Sequence, residues 1–436
     1  MDRLIVGALG LVLLLVFVFL GLPLPIIFII IGLGGIALIG DWSQVAQVMQ
    51  STAFSRLGEG TYEWTVIPLF TMMGIILFEC GIADNIYRAV RQWVGHLPGG
   101  MAAATSGACA AIGTMSGSGI ATAALMSKVA YPEMKKYNYQ PAFAMVTCAC
   151  SATTAMMMPP SIVIVIFAIV AEASIGRCLL AGVIPSILSM AIYMVMIFIR
   201  CRINPSLGPA QPSASWSARI HSLTALIPVV IMMAIIIGGI YFGIFTATEA
   251  AGMGVLVSFL IVIAMKRLTW ARLKKIILET TRLSILMMLI LMTIEGFYCR
   301  FLNLSGVTMT IGNLALGFSS PWVTIVAMYV IMFLFGMFVG DPLGFVILPI
   351  FAPVIKDMGF DIIWFVLTMI KMIELGAVTP PVCMAIFVSQ GIVKEVSIDS
   401  AYKAVVPFIV CDVLTLGLMV FIPQITLFLP YLSSGG

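Results

Sequence analysis

The chain has 436 residues, of which 62% are hydrophobic and 9% are charged, and its mean hydropathy is +1.17. Soluble globular proteins carry about 25% charged residues, so this composition excludes an ordinary soluble domain. It predicts an all-α membrane protein that crosses the bilayer many times. The formal net charge of +4 is spread thinly and gives no indication of nucleic-acid binding.

Apolar segments long enough to cross a bilayer follow one another along the chain. The first has the apolar content of a secretory signal, but no small-residue cleavage site precedes the next apolar run, so we expect a membrane helix. The predicted spans are residues 4–20, 22–40, 66–80, 141–170, 177–200, 221–244, 248–265, 281–302, 362–391 and 404–429. Two further apolar segments, 101–127 and 321–351, are broken in the middle by Gly with polar residues or Pro, and they predict re-entrant helical hairpins.

Residues 82–94, between the third span and the first hairpin, have the spacing of an amphipathic helix. Ile82, Ile86 and Val90 fall on one face, and the arginines lie off that face. Such a helix is expected to lie at the membrane surface. Its counterpart in the second half is 303–320, and the two helices could act as levers between a moving unit and a static frame.

The centre of the first hairpin reads IGTMSGSGIAT (112–122), with three glycines and four hydroxyl residues in an apolar region. A plain membrane helix has no need of such a cluster. Because Gly permits tight turns and gives access to the backbone, the stretch predicts a turn at membrane depth that faces a binding site.

The two halves of the chain share anchors that are 221 residues apart. Pro132 matches Pro353, and the proline pair 159–160 matches the pair 380–381. A single Gly or Pro often only kinks a helix or permits close packing, but here the breaks recur in register. Since the intervening loop reverses the membrane sense, we predict two inverted repeats with discontinuous helices, as in secondary transporters.

This repeat predicts a division of the chain into four parts. They are N-terminal scaffold helices (1–65), a first inverted repeat (66–200), connecting scaffold helices with a cytoplasmic basic loop (201–280) and a second inverted repeat (281–436).

Orientation is predicted from the Lys and Arg residues. The densest basic cluster, at 266–282, is placed in the cytoplasm, and the basic segments near 200–219, 128–136 and 88–91 fall on the same side when the spans are counted back. The first hairpin then enters the membrane from the cytoplasm and the second from outside, with both chain ends outside.

An interrupted helix exposes free N–H groups at one new end and free C=O groups at the other. The N-terminal ends favour carboxylates, whereas carbonyl ends with nearby hydroxyls supply oxygen ligands for Na⁺. The candidate Na⁺ ligands of the first hairpin and its facing break are Ser116, Gly117, Ser118, Thr122, Thr153 and Thr154. Those of the second hairpin and its facing break are Gly336, Gly340, Asp341, Gly376, Val378 and Thr379. The candidate substrate contacts are Ser118, Pro159, Pro160, Pro380 and Pro381.

Charged residues inside predicted spans serve either the site or the packing of helices. Lys371 and Glu374 are three apart on one helix and are predicted to form a structural pair, and Glu249 is predicted to cap a helix start. Asp412 is expected at an interhelical contact, whereas Asp341, at the second hairpin tip, could serve the site.

The nine cysteines lie in or beside apolar spans without the spacing of metal ligands, and they are predicted to be core residues. His96 and His221 are isolated, so no metal site other than Na⁺ is expected.

Eight stretches match, in order and spacing, a known family of membrane subunits. They are PLFTMMGIILFECGIAD (68–84), LPGGMAAAT (97–105), SGSGIATAA (116–124), MPPSI (158–162), LAGVIPSIL (180–188), GIYFGIFTATEAAGMGV (239–255), GMFVGDPLGFVILPIFAPV (336–354) and LGAVTPPVCMAIFV (375–388). Over nearly its whole length the chain resembles the large membrane subunit of tripartite ATP-independent periplasmic (TRAP) transporters, the DctM-like permeases.

The resemblance implies a transporter rather than an enzyme. The family takes up carboxylates, typically dicarboxylates or sugar acids, across the inner membrane of bacteria and archaea, driven by Na⁺ without ATP. It implies a small four-helix membrane subunit (DctQ-like) and a periplasmic substrate-binding protein (DctP-like) as partners. It also implies an elevator mechanism, in which a unit carrying both hairpins slides against a scaffold, with Na⁺ at the hairpin tips and no other cofactor.

Two stretches depart from the family pattern. Residues 151–158, SATTAMMM, stand where the family commonly has a glycine-rich stretch, so the hydroxyls of Thr153 and Thr154 would have to replace backbone ligands there. In VGDP (339–342) a glycine precedes the acidic residue, whereas the commoner form has the acid directly after a Phe–hydrophobic pair. The role of Asp341 is therefore open.

Three other functions are compatible with the sequence. A self-sufficient Na⁺/carboxylate symporter of similar architecture would need no partner. An intramembrane aspartyl protease is suggested by FVGDP (338–342), but Phe338 replaces the first glycine of the GxGD motif and no second Asp stands in a matching motif. A channel is also compatible, although paired broken helices favour alternating access.

Overall fold

The structure, a computed structural model, describes residues 2–57, 59–317, 320–339 and 342–433. These residues form helices joined by short turns, and no strand occurs among them. The helices of the first half are α1 (Arg3–Phe19), α2 (Leu24–Ile39), α3 (Trp42–Leu57), α4 (Val66–Glu79), α5 (Ile82–Val94), α6 (Gly100–Ser116), α7 (Gly119–Lys136), α8 (Pro141–Thr153), α9 (Ile162–Val170) and α10 (Ile175–Ile203). Those of the second half are α11 (Trp216–Ser222), α12 (Ile227–Tyr241), α13 (Ala247–Ala264), α14 (Trp270–Thr293), α15 (Cys299–Ser305), α16 (Val307–Leu316), α17 (Pro321–Val339), α18 (Pro342–Asp357), α19 (Ile362–Val378), α20 (Met384–Val393), α21 (Ile398–Phe421) and α22 (Gln424–Leu432). Shorter 3₁₀ or π segments occupy Glu59–Thr65, Thr154–Met156, Leu223–Ala225 and Ile294–Tyr298.

Among the described residues, five helical stretches are long and apolar enough to cross a membrane. They are Tyr62–Glu79, Ile175–Ile203, Ala247–Ala264, Trp270–Ser305 and Ile398–Phe421. A sixth span would result if Trp216–Ala225 and Ile227–Tyr241, which meet at 46°, cross together. The prediction of an all-α protein with several membrane helices is confirmed at this level.

The predicted spans 141–170 and 362–391, which contain the two proline pairs and are the predicted broken helices, are both interrupted within these ranges. The first consists of α8 and α9, and the second of α19 and α20, which runs on to Val393. Every residue of α8 from Ala142 onward and of α19 from Ile363 onward is buried. Irregular backbone at membrane depth must be surrounded by protein or line a cavity. The first break is almost entirely buried, whereas the second is partly open, with Pro381 exposed.

The helices of the two halves pack against one another. The second arm of the first hairpin, α7, contacts α8 of its own half and α20 of the other half. Helix α21 in turn contacts both α8 and α19. Beyond the end of α20, the carboxylate of Glu395 accepts hydrogen bonds from Tyr131 and Lys135 of α7. The hairpin of the first half and the broken helix of the second half therefore interlock.

A buried network of charged and hydroxyl groups surrounds Lys371 on α19. Its Nζ donates to Glu374 Oε2 at 3.0 Å, which confirms the predicted pair. It also donates to Asp412 Oδ1 at 2.6 Å and to Ser189 Oγ at 2.8 Å. Tyr193 donates to the other oxygen of Asp412 at 2.8 Å. Because these partners lie on α10 and α21, the network joins three helices, and the expected interhelical role of Asp412 is confirmed.

Two other local predictions are confirmed. Thr246 and Glu249 form a capping box at the start of α13, in which each side chain accepts a hydrogen bond from the backbone N–H of the other. The nine cysteines are free thiols, and all are buried except the partly exposed Cys299, as expected for core residues.

Helix α5 confirms the predicted amphipathic helix. Ile82 and Ile86 are buried and Arg88 is exposed. The helix packs against α6 of the first hairpin, so protein covers much of its apolar face. The role of α5 as a lever stays a prediction.

Several predicted boundaries are wrong. Helix α3 was missed because its sequence, WSQVAQVMQSTAFSRL, is too polar for a membrane span. The first hairpin continues to Lys136, beyond the predicted end. Helix α14 begins at Trp270, so most of the basic cluster predicted as a loop is helical, since Lys and Arg are good helix formers. The last predicted span is two helices, α21 and α22, which separate at Pro423.

Loops that were predicted to share one side of the membrane are in contact. The Arg267 guanidinium donates to the carbonyl oxygens of Cys80 at 2.9 Å and Gly81 at 3.0 Å. On the predicted outer side, Lys356 Nζ lies 3.9 Å from Glu172 Oε2. These contacts agree with the grouping of the loops, while the assignment of one group to the cytoplasm stays a prediction.

Glu395 is expected to make the stability of the protein depend on pH. Two hydrogen bonds lower the pKa of the exposed Glu395 carboxyl below its usual value of 4.5. The bond from Lys135 has the larger effect and the bond from Tyr131 the smaller one. The ionised form therefore stabilises the fold above about pH 4.5, and this contribution is lost as the pH falls through the lowered pKa of the folded state. We expect the thermal stability of the wild type to exceed that of Glu395→Gln at neutral pH and to converge with it in acid.

The measurement is a series of thermal unfolding curves of both proteins in lipid nanodiscs from neutral to acid pH. Glu172→Gln is the matched control, because it removes an exposed carboxylate whose contact with Lys356 is longer, at 3.9 Å. A constant difference between the wild type and Glu395→Gln at all pH values would contradict the prediction.

Candidate functional site

The tip of the first hairpin is a two-residue turn between α6 and α7. Gly117 has φ +57°, in the left-handed region that favours glycine. Ser118 is extended and caps α7, and its Oγ accepts a hydrogen bond from the N–H of Ala121 at 3.3 Å. The hydroxyl of Thr122 donates to the Ser118 carbonyl at 2.8 Å. The predicted break therefore lies where the glycines and hydroxyls are concentrated.

The glycines of this tip lie directly against the first broken helix. A Cβ placed on Gly113 would be 2.6 Å from Ala155 Cα, and one on Gly117 would be 2.9 Å from the Ile162 nitrogen. Real Cβ atoms do not approach other atoms so closely, so these contacts require glycine. The structure thus brings together the hairpin tip and the break that the sequence predicts to face it.

The first break combines buried hydroxyls with an irregular backbone. Helix α8 ends at Thr153, a 3₁₀ turn follows, and the Pro159–Pro160 peptide bond is cis. The Thr153 hydroxyl donates to the Cys150 carbonyl at 2.9 Å, and the Thr154 hydroxyl donates to the Ser151 carbonyl at 2.7 Å. A hydroxyl that donates its proton in this way keeps oxygen lone pairs that can bind a cation.

The second broken helix has a comparable contact. A Cβ on Gly376 of α19 would lie 2.8 Å from the carbonyl carbon of Gly336 in α17, the first arm of the second hairpin. The Thr379 hydroxyl donates to the Leu375 carbonyl at 2.6 Å. Val378 is buried, and the Pro380–Pro381 peptide bond is cis.

Three of the predicted ligands are described incompletely or not at all. Gly340 and Asp341, at the tip of the second hairpin, lie outside the described residues, and so does the prediction that Asp341 serves the site. Ser116 is described only as the last residue of α6.

A cavity of about 640 Å³ lies beside the first hairpin tip. One wall is formed by the tip, including Gly117 and Ser118, together with the first residues of α9. The rest of the lining comes from α4 and α14, with contributions from α2 and α18. At one end, Lys275 Nζ of α14 lies 2.8 Å from Glu79 Oε2 of α4, and Glu279 lies nearby in the lining. The volume is typical of a site for a small organic ligand.

Not all predicted substrate contacts lie in this cavity. Ser118 lines it, whereas the four prolines do not belong to the part of the lining that is described. Pro159 and Pro160 are buried, and the carbonyl of Pro381 accepts a hydrogen bond from Tyr402. The role of the four prolines as substrate contacts stays a prediction.

Other residues of the site were not predicted. Gly113 was noted only as one of three glycines, and its contact with Ala155 could be inferred only from the fold. Thr71, in the wall formed by α4, lies in an ordinary apolar span, and no sequence signal distinguishes it.

The sequence matches the model of a known protein family and is similar to known relatives. The sequence model of the family described as "Tripartite ATP-independent periplasmic transporter, DctM component" matches residues 11–425. The chain is 30% identical over 374 residues to the C4-dicarboxylate TRAP transporter large permease protein DctM of Pseudomonas aeruginosa, with 85% of this chain and 86% of that protein covered. It is 29% identical over 366 residues to the ectoine TRAP transporter large permease protein TeaC of Halomonas elongata, with 83% and 85% covered.

Among solved structures, the fold is similar to that of the YdaH transporter of Alcanivorax borkumensis. The TM-score is 0.63, the sequence identity is 12%, and 88% of this chain and 90% of that chain are covered. At this identity the similarity concerns the fold alone.

Proposed function

The chain belongs to the DctM component family of tripartite ATP-independent periplasmic transporters, as a large permease subunit and not an enzyme, and from this premise we propose that it moves a small carboxylate by Na⁺ symport. In this proposal Na⁺ binds where each hairpin tip meets its facing helix break, and the substrate occupies the cavity beside the first tip.

The observation that carries the proposal is the contact between the first tip and the first break. Gly113 and Gly117 place backbone of the hairpin against the break without intervening side chains. The buried hydroxyls of Thr153 and Thr154 add oxygen atoms in a region without the family's glycines. Hydroxyl and carbonyl oxygens are suitable ligands for a hard cation, and a cation bound between the two segments would hold them together.

The substrate's negative charge is supported by the helix ends at the cavity. Helix α7 begins at Gly119 and α9 begins at Ile162, and both starts lie in or next to the cavity lining. The positive end of a helix dipole and its free N–H groups favour a carboxylate. The relatives carry C4-dicarboxylates in one case and ectoine in another, so family membership leaves the substrate open.

The proposed partners are a small membrane subunit and a periplasmic substrate-binding protein, and the proposed location is the inner membrane. The family description calls the transporter tripartite and periplasmic, and a permease that receives substrate from the periplasm must lie in the membrane that bounds it. Uptake by this chain alone in proteoliposomes would contradict the tripartite arrangement and favour a self-sufficient symporter.

We further propose an elevator movement. The cavity is lined by the hairpin tip and α9 together with α4 and α14. A substrate held at the tip therefore contacts helices of both a candidate moving unit and a candidate frame, and sliding of one against the other would carry it across the membrane.

Substitution of Ser118 by Leu tests the cation site. We expect Ser118→Leu to insert and fold but to lose its response to Na⁺, because a bulky apolar side chain replaces a hydroxyl at a crowded tip. The measurement compares thermal unfolding of the purified chain in NaCl and in choline chloride, followed by Na⁺-driven uptake with both partners present.

The matched control is Ser215→Leu, since Ser215 also caps a helix through its hydroxyl but lies exposed at the start of α11. It should retain the Na⁺ response of the wild type. If Ser118→Leu also keeps the full Na⁺ response, the first tip is not a cation site.

A further inference from the structure

We propose that a second pocket, at the membrane surface, binds the phosphate headgroup of an anionic phospholipid. The pocket has a volume of about 400 Å³, and it lies where the turn between α4 and α5 meets the turn between α13 and α14. Its described lining consists of Cys80, Gly81, Asp84, Asn85, Arg88, Arg267 and Arg272. None of these residues lines the cavity beside the first hairpin tip, so the inference does not depend on the proposed function.

The pocket lies at the level where membrane helices end. Three of the stretches that are long and apolar enough to span a membrane have an end here, at Glu79, Ala264 and Trp270. Cys80, Arg267 and Arg272 of the lining are each within three residues of such an end. The phosphates of phospholipids lie at the same level, at the surface of the hydrocarbon core.

Three guanidinium groups share this pocket with one carboxylate. Arg88, Arg267 and Arg272 contribute +3 and Asp84 contributes −1, so the formal charge of the described lining is +2. None of the three arginines forms an ion pair within the described part of the chain. Asp84 lies in the first turn of α5, where the helix dipole stabilises an acidic side chain. Like charges that are gathered without a counter-charge repel one another, and a bound anion would remove this repulsion.

The arginines keep hydrogen-bond donors for such an anion. Arg267 Nη1 donates to the carbonyl oxygens of Cys80 and Gly81 at 2.9 and 3.0 Å. Arg272 Nη1 donates to the Arg267 carbonyl at 2.6 Å. These bonds fix both side chains at the pocket wall through one nitrogen each, and Arg88 makes no hydrogen bond to any described residue. A guanidinium group has five donors in a planar fork that matches the oxygens of a phosphate.

The surface next to the pocket favours a lipid over a soluble anion. Within about two helical turns of the lining arginines, Leu260 and Ile263 of α13 and Ile277 and Leu278 of α14 are exposed. Trp270, at the start of α14, is 81% exposed, and tryptophan is enriched at membrane–water interfaces. A phospholipid whose phosphate occupies the pocket would lay its acyl chains along these apolar side chains, whereas free phosphate would leave them uncovered.

The general preference of Lys and Arg for one side of the membrane does not account for the pocket. That preference requires only that basic residues lie near the ends of the spans, as Lys266 and Lys274 do, which are exposed and outside the described lining. It does not require Arg88, from a distant part of the sequence, to converge with the arginines of the α13–α14 turn. The convergence indicates a ligand.

Thermal unfolding of the full-length chain, purified in detergent and stripped of lipid, tests the proposal, because a ligand that binds the folded state raises its stability. The additions are dioleoylphosphatidylglycerol, dioleoylphosphatidylcholine and inorganic phosphate. Each positive charge near an anionic lipid contributes about fivefold in affinity, so a charge of +2 corresponds to about 25-fold. We expect half-maximal stabilisation by phosphatidylglycerol at about a 25-fold lower concentration than by phosphatidylcholine. Equal effects of the two lipids, or of phosphatidylglycerol and inorganic phosphate, would overturn the inference.

A variant of Arg88 tests the pocket itself. Arg88 is exposed and makes no other polar contact with the described residues, so Arg88→Gln should unfold at the temperature of the wild type without lipid. Its half-maximal concentration of phosphatidylglycerol should rise about fivefold. Lys274→Gln is the matched control, since it removes the same charge from an exposed position two residues from Arg272, and it should respond as the wild type does. If both variants lose the same affinity, the lipid is attracted by the basic surface as a whole, and the pocket is not its site.

Discussion

Replacement of Lys371 by Met is expected to lower the free energy of unfolding by about 3–5 kcal/mol. The Lys371 ammonium, Glu374 and Asp412 are all fully buried, and Nζ contacts the two carboxylates at 3.0 and 2.6 Å. Removing the cation leaves two negative groups in the interior without a counter-charge, and this is far less favourable than the intact network. Thermal and denaturant unfolding of the purified protein, with the yield of folded monomer, provide the measurement.

The double variant Lys371→Met with Asp412→Asn separates loss of packing from loss of charge balance. It should recover part of the lost stability, because it removes one of the orphaned carboxylates. Lys135→Met is a matched control, since it breaks the ion pair with Glu395, in which both side chains are well exposed, and surface pairs contribute little. If Lys371→Met is as stable as Lys135→Met, the network does not hold the three helices together.

Replacement of Gly113 by Ala is expected to have the second large effect, on Na⁺ affinity and transport. The new methyl group would lie 2.6 Å from Ala155 Cα and 3.0 Å from Ala155 Cβ, so the hairpin and the break must separate. Overpacking of a tight contact costs about 1–3 kcal/mol. If the cation binds between these segments, this corresponds to a loss of Na⁺ affinity of about 5- to 150-fold.

Gly252→Ala is the control for this experiment, because Gly252 lies in another membrane helix and a Cβ there would meet no atom within 4 Å. The Na⁺ concentration that gives half-maximal thermal stabilisation should rise in Gly113→Ala and stay constant in Gly252→Ala. The same half-maximal concentration in both variants would show that the tip can move from the break without affecting the ion.

Local sequence patterns predicted the helices and their interruptions. Gly117 and Ser118 mark the first tip because glycine favours the left-handed turn and serine caps the helix that follows. The i, i+3 spacing of Lys371 and Glu374 predicted their pairing. The helix α3 was missed because its polar sequence lacks the run of apolar residues by which membrane spans are recognised.

Contacts between distant segments could not be predicted in the same way. The approach of Gly113 to Ala155, and the addition of Asp412 and Tyr193 to the Lys371 pair, depend on how helices far apart in the chain come together. Thr71 illustrates the limit most clearly, because its buried hydroxyl has no hydrogen-bond partner among the described residues. An unsatisfied hydroxyl is a property of its surroundings, and a threonine in an apolar span has the same local sequence whether its hydroxyl is bonded or not.

The contacts of α7 with α8 and α20 have a consequence for how bound ions would move. Since the arm of one hairpin packs against the broken helix of the opposite half, and α21 contacts both broken helices, these helices form one connected unit that would move together. In the proposed mechanism, cations bound at the two hairpin tips would then cross the membrane together.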